Sequence, residues 1–97
     1  MIEHIVLLKF VPETTHEQKE ELIRRTILLK NVIPGIMDIQ QGNNFSNRSQ
    51  GYDMGLTVRF EDRISLERYG PHPAHQDVFS YLKEIGLEKS IIVDFEI

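Results

Sequence analysis

The chain has 97 residues, with 11 basic and 15 acidic side chains, a formal net charge of −4 at pH 7, and no cysteine. This length predicts one domain over residues 1–97. Without cysteine, a disulfide framework, a thiolate nucleophile and a cysteine zinc site are excluded. The acidic balance argues against nucleic-acid binding, which depends on neutralising phosphates. No apolar run is long enough to span a membrane and no signal-peptide pattern is present, so we expect no membrane partner and a cytoplasmic location.

The first predicted element is a strand that ends at Pro12 and has apolar residues on both of its alternating faces. One face carries Ile2, His4, Val6, Leu8 and Phe10, and the other carries Ile5, Leu7 and Val11. A strand that is apolar on both sides is expected in the middle of a sheet, with both faces covered.

Two helical regions and three more strands follow. Thr14 or Thr15, with Glu17 or Gln18 three residues later, predicts a capped helix over Glu17–Lys30. The remaining elements in chain order are a strand at about Ile36–Gly42, a polar loop over Asn43–Gly51, a strand over Tyr52–Phe60, a helix from Asp62 to Tyr69 ended by a left-handed Gly70, a helix from Pro73 to Gly86, and a strand over Ser90–Ile97. The strand at about Ile36–Gly42 has the weakest pattern, because it holds polar Asp38, Gln40 and Gln41.

This order is β-α-β-β-α-β with the second helical region split in two. It predicts an α+β sandwich of one antiparallel sheet with helices on one face. Helices on one side leave the other face of the sheet uncovered, yet the first strand is apolar on both faces. Exposed apolar surface of this extent is typical of an interface. We therefore expect a homodimer whose two sheets pack face to face and form a barrel.

The segment from Tyr69 to His75 carries the most distinctive chemistry of the chain. His75 precedes apolar residues at spacings of three, four and seven, which places its imidazole on or beside the apolar face of the last helix. A half-buried imidazole beside the Tyr69 hydroxyl predicts a general base with a hydrogen-bond donor for a developing oxyanion or enolate. His4 on the first strand meets them there if the helices cover its face of the sheet.

A structural interpretation stands beside the catalytic one. His72 is then only a helix N-cap, and His75 only a first-turn residue hydrogen-bonded to a loop carbonyl. A cavity of roughly 300 Å³ or more lined by Tyr69 and His75 would favour ligand chemistry, whereas solid packing around His75 would favour the structural role. A metal ion between His72 and His75 needs a third ligand, such as His4 or Asp94, and no spacing selects one. We therefore predict no metal and no cofactor.

Several short motifs, in order along nearly the whole chain, resemble those of the stress-responsive dimeric α/β-barrel (Dabb) family. The matching pieces are His4–Phe10, Ile33–Ile36, Gly42–Asn44, Gly51–Asp53, Val58–Asp62, Tyr69 with His72–His75, and Val93–Phe95. The resemblance implies a ferredoxin-like protomer that dimerises through its sheet into a dimeric α/β barrel. Members of the family include stress-induced proteins without a known reaction and a polyketide cyclase that acts by aldol condensation.

In that cyclase, the tyrosine and histidine that match Tyr69 and His75 form the catalytic pair. The resemblance implies that His75 removes an acidic proton, that Tyr69 steadies the enolate, and that His4 lines the pocket. Thr26 and Met54 stand where the cyclase has a tyrosine and a further histidine, which predicts a different substrate. The predicted ligand-binding residues are His4, His72, Met54 and Thr26.

Two hypotheses therefore remain open about function. The first is a stress-associated homodimer of uncharacterised activity, with a pocket near His75 and Tyr69 for a small apolar or aromatic ligand. The second is a cofactor-independent, polyketide cyclase-like lyase with His75 as general base and Tyr69 as oxyanion stabiliser. A heme-free monooxygenase is a weaker third, because nothing in the sequence singles out an oxygen-activating site.

Overall fold

The computed structural model describes all residues, 1–97, as three helices on a four-stranded sheet. The elements are β1 (Ile2–Phe10), α1 (His16–Leu28) with a 3₁₀ turn (Leu29–Asn31), β2 (Ile36–Asn43), β3 (Met54–Phe60), α2 (Arg63–Tyr69), α3 (Pro73–Ile85) and β4 (Leu87–Glu96). The strand order is β2-β3-β1-β4, and every neighbouring pair is antiparallel. The predicted α+β fold, with β1 inside the sheet, is therefore confirmed. No helix combines the length and the apolar character needed to cross a membrane.

Side-chain caps set the beginnings of all three helices. Thr15, one of the two predicted caps of α1, forms a full capping box: its hydroxyl accepts from the Gln18 amide at 3.1 Å, and the Gln18 side chain accepts from the Thr15 amide at 2.9 Å. Asp62 accepts from the Ser65 amide at 2.8 Å and begins α2. The His72 side chain accepts from the Ala74 amide at 3.1 Å and begins α3. Local sequence thus fixes where each helix starts.

One predicted helix end is wrong. Gly70 follows α2 with φ −52° and ψ −56°, which is right-handed rather than left-handed. The chain turns there because the His72 amide donates to the Tyr69 carbonyl at 3.2 Å, a turn that needs no positive φ. The left-handed cap lies at the end of α3 instead. Gly86 has φ +110°, and a Cβ on it would lie 2.5 Å from the Val11 side chain, so only glycine fits.

The two faces of the sheet differ in exposure. The inner face, which packs against the helices, carries the alternate residues Ile2, His4, Val6, Leu8 and Phe10 of β1, all of them buried. They join Val58, Phe60 and Leu22 in one hydrophobic core. The outer face carries Leu7 of β1 beside Ile91, Val93 and Phe95 of β4, all exposed. The helices therefore cover one apolar face and leave the other open.

Candidate functional site

A cavity of about 260 Å³ lies between the inner face of the sheet and the three helices. Its lining is mainly hydrophobic, with 11 apolar residues among 17. The sheet contributes Val6, Leu8, Leu56 and Ile92, and the helices contribute Leu22, Leu66, Val78 and Leu82. Among the polar side chains that line it are His4, Tyr69 and His75. The volume lies just below the roughly 300 Å³ at which small-molecule sites begin, and the cavity is partly open to solvent.

Tyr69 ends α2 and is buried against two other rings. Its ring centroid lies 5.0 Å from that of Phe60 and 5.8 Å from that of His4, both in edge-to-face geometry. Burial raises the pKa of Tyr69 to about 12, so the phenol keeps its proton at neutral pH. None of the hydrogen bonds of this cluster uses the Tyr69 hydroxyl. The phenol is therefore an available donor at the cavity.

His75 lies in the first turn of α3, with its ring centroid 4.2 Å from that of Tyr69. Its Nδ1 is 2.9 Å from the Gly70 carbonyl oxygen. A carbonyl can only accept, so Nδ1 carries the proton and Nε2 keeps the lone pair. Burial lowers the pKa of His75, although the Gly70 hydrogen bond opposes this shift. The imidazole is therefore neutral at pH 7 and can accept a proton at Nε2.

His4 completes the aromatic cluster from the sheet side. Its β1 position pairs with Asp94 of β4, and Nδ1 lies 2.5 Å from the Asp94 carboxylate. This bond holds the ring plane and places the Nδ1 proton toward the carboxylate. From the sequence, Asp94 was a candidate only as a metal ligand. Its alternation with Val93 and Phe95 was the available signal, because it places Asp94 on the same face as His4.

Two predicted ligand-binding residues lie outside the cavity. Met54 is 1% exposed, belongs to the hydrophobic core and is not among the residues that line the cavity. His72 caps α3 and borders a separate surface depression beside Gly35 and Asp62. Thr26 does line the cavity, and its hydroxyl donates to the Leu22 carbonyl at 2.8 Å.

Sequence reasoning also missed a cavity residue on β2. Gln41 lines the cavity from the edge strand of the sheet. The signal was the polar character that made this strand the weakest of the predicted elements. A glutamine at an inward-facing strand position needs either a partner or a role.

The histidines do not converge on an ion-binding arrangement. His72 and His75 both direct Nδ1 to the backbone, the former accepting from Ala74 and the latter bonded to Gly70. His16 is exposed at the start of α1, next to Glu20. No group of three or more histidine, aspartate or glutamate side chains is close enough to hold a metal ion. The chemistry available at the cavity is that of imidazole, phenol, amide and hydroxyl groups.

Known proteins are similar to this chain in sequence and in fold. The family model described as the stress responsive A/B barrel domain matches residues 2–97. Olivetolic acid cyclase of Cannabis sativa is 33% identical over 97% of this chain and 94% of its own. A crystal structure of an Arabidopsis thaliana protein superposes with a TM-score of 0.90 at 27% identity, covering 100% of this chain and 95% of that one.

A second solved structure bears on assembly. The dimeric ferredoxin-like protein of unknown function from Jannaschia superposes with a TM-score of 0.83 at 27% identity, covering 99% of this chain and 98% of that one. The family resemblance inferred from the short motifs is thereby confirmed. With a family model that spans residues 2–97, the chain belongs to the stress-responsive A/B barrel (Dabb) family.

Proposed function

We propose that this chain binds a small, mainly apolar or aromatic molecule in the cavity of about 260 Å³ beneath α3. The observation that carries this proposal is that Tyr69, which packs on the core, and His75 beside it line one cavity together. An apolar pocket with a few convergent polar groups is the usual form of a ligand site. The apolar lining supplies affinity, and the imidazole and phenol orient the polar atoms of the ligand.

The chemistry supported by this geometry is cofactor-free proton transfer. Nε2 of the neutral His75 takes a proton from a carbon next to a carbonyl, and the electron pair moves onto the carbonyl oxygen. The protonated Tyr69 phenol donates a hydrogen bond to the resulting enolate. Identity of 33% with olivetolic acid cyclase supports this lyase or cyclase class. Thr26 and Gln41 also line the cavity and add polar groups to its wall.

A different observation supports the non-enzymatic alternative. The capping bond of His72 and the bond of His75 to the Gly70 carbonyl both serve the turn between α2 and α3. If this structural role is the whole role of His75, its replacement lowers the stability of the fold but does not change the rate of a probe reaction in the cavity. The two hypotheses therefore differ in what His75→Ala changes.

We also propose that the chain works as a homodimer assembled through the outer face of the sheet. Leu7, Ile91, Val93 and Phe95 form a continuous exposed apolar strip across β1 and β4. A strip of this kind on a soluble domain is typical of a contact surface. The dimeric description of the Jannaschia protein, whose fold this chain shares, supports a homodimer. The cavity lies on the other side of the sheet, and none of these four residues lines it.

A base-catalysed elimination tests the proposed chemistry without knowledge of the natural substrate. In 5-nitrobenzisoxazole a base removes the ring C–H proton, the N–O bond breaks, and a coloured cyano-nitrophenolate forms. We expect the wild-type protein to accelerate this reaction with a rate that rises with pH through a midpoint below 6.5 and then levels off, because burial lowers the pKa of His75. His75→Ala should lose about a hundredfold or more in rate.

Tyr69→Phe should lose rate as well, because the phenolate leaving group then lacks its donor. His16→Ala is the matched control and should leave the rate unchanged, since His16 is exposed at the start of α1 and does not line the cavity. Equal rates for wild type and His75→Ala would contradict the catalytic role. Absence of any thermal stabilisation by the probe would contradict the binding role.

A further inference from the structure

The cavity has a second polar end on the edge strand β2. Gln41 pairs with Leu56 of β3, Leu56 pairs with Val6 of β1, and Val6 pairs with Ile92 of β4, so these four residues form one row across the cavity floor. His4 lies on β1, two strand spacings or about 10 Å from β2. The polar group on β2 is therefore separated from the His4–Tyr69–His75 cluster by apolar side chains.

The Gln41 amide differs from the other polar groups that line the cavity. Both its Nε2 and its Oε1 are inaccessible to solvent and have no hydrogen-bond partner in the protein. The Thr26 hydroxyl, which lines the same cavity from α1, already donates to the Leu22 carbonyl. His4 Nδ1 is hydrogen-bonded to the Asp94 carboxylate, and His75 Nδ1 is hydrogen-bonded to the Gly70 carbonyl. Among the side chains that line the cavity, only Gln41 has a donor atom and an acceptor atom that are both shielded from solvent and both without a hydrogen-bond partner.

A buried amide without partners destabilises a fold, and a leucine or methionine at an inward strand position would avoid that cost. Its presence in an otherwise apolar wall is explained if a ligand supplies the missing hydrogen bonds. An amide that presents N–H and C=O side by side is matched by a group with an adjacent acceptor and donor. A neutral carboxamide or an un-ionised carboxylic acid has this arrangement, whereas a carboxylate lacks the donor.

We propose that Gln41 is a specificity-determining residue that pairs with a neutral carboxamide or carboxylic acid group of an elongated, otherwise apolar ligand. This inference rests on the proposed small-molecule site and adds the chemical class of the ligand. The ligand places its donor–acceptor group on Gln41 and its reactive carbon near His75. The apolar row of Leu56, Val6 and Ile92 contacts the middle of the molecule.

Benzamide and its apolar isostere cumene test this assignment by NMR titration of wild type, Gln41→Met and Gln40→Met. Gln41→Met should bind benzamide about tenfold more weakly than wild type while binding cumene at least as tightly. Gln40→Met is the matched control: Gln40 is exposed on the outer face of β2, and its replacement should leave both affinities unchanged. The urea midpoint of Gln41→Met should equal or exceed that of wild type, because an unpaired amide is removed.

Each other result has a definite meaning. Equal benzamide affinity in wild type and Gln41→Met overturns the role of Gln41 and leaves the proposed cavity function intact. A lower urea midpoint for Gln41→Met makes the amide structural and also overturns the inference. Failure of both probes to bind the wild-type protein overturns the cavity function together with the inference.

Discussion

The two faces of the sheet are formed by the same strands but differ in whether the helices bury them. On the inner face, Val6 and Leu8 of β1 are buried beneath the helices and contribute to the walls of a cavity. On the outer face of the same strand, Leu7 lies exposed beside Ile91 and Val93. Both faces are apolar, but only one is covered within the protomer. A strand that is apolar on both faces therefore predicts that both faces are buried, but it does not tell whether the same protomer or a partner buries each face.

The two faces should also respond differently to substitution. The inner face holds the core and the cluster of His4, Tyr69 and His75, so substitutions there affect stability and chemistry together. The outer face has no cavity-lining residue among its exposed apolar side chains, so substitutions there should affect assembly alone. Variants chosen on each face can test this division.

The largest expected effect is on the inner face. Phe60 is 0% exposed and packs its ring against His4 and Tyr69. Phe60→Ala should lower the free energy of unfolding by about 3–5 kcal/mol, through lost burial and the cavity left behind. Phe45→Ala is the matched control, because Phe45 is 100% exposed in the loop after β2 and should change stability by less than about 0.5 kcal/mol. Urea denaturation measures both, and a similar loss in the two variants would contradict the assigned core.

The next effect is on the outer face. Val93 is 49% exposed, and Val93→Asp places a charge in the middle of the proposed dimer contact. We expect the dimer to weaken by at least about a hundredfold, so that light scattering at micromolar concentration changes from twice 11.3 kDa to 11.3 kDa. Ile64 on α2 is 56% exposed and lies outside the sheet, so Ile64→Asp is the control and should leave the mass unchanged. A monomeric wild-type protein, or a dimeric Val93→Asp variant, would contradict the division between the faces.

The sequence predicted most of the fold because its signals are local. The Thr15 capping box and the alternation in β3 each involve residues a few positions apart. The predicted left-handed Gly70 was wrong because a glycine after a helix shows that a positive φ is allowed but does not require it. A turn hydrogen bond from the His72 amide decided that point, and the sequence does not reveal it.

The candidate site was predictable only in part, for the same reason. Tyr69 and His75 are six positions apart, at the end of one helix and the start of the next, so their meeting could be expected. The bond between His4 and Asp94 depends on the register of strands 90 positions apart. The place of Gln41 in the cavity wall depends on how β2 pairs with β3. Long-range register decides which polar residues share a cavity, and composition and spacing do not encode it.

The proposed chemistry depends most directly on one property of the site: the imidazole of His75 is neutral and has its lone pair on Nε2. NMR of ¹⁵N-histidine-labelled protein across pH reports both the pKa and the tautomer of His75. We predict a midpoint below 6.5, because burial lowers the pKa, and a proton on Nδ1, because Nδ1 donates to the Gly70 carbonyl. A midpoint at or above 6.5, or a neutral ring protonated on Nε2, would contradict His75 as the base of this site.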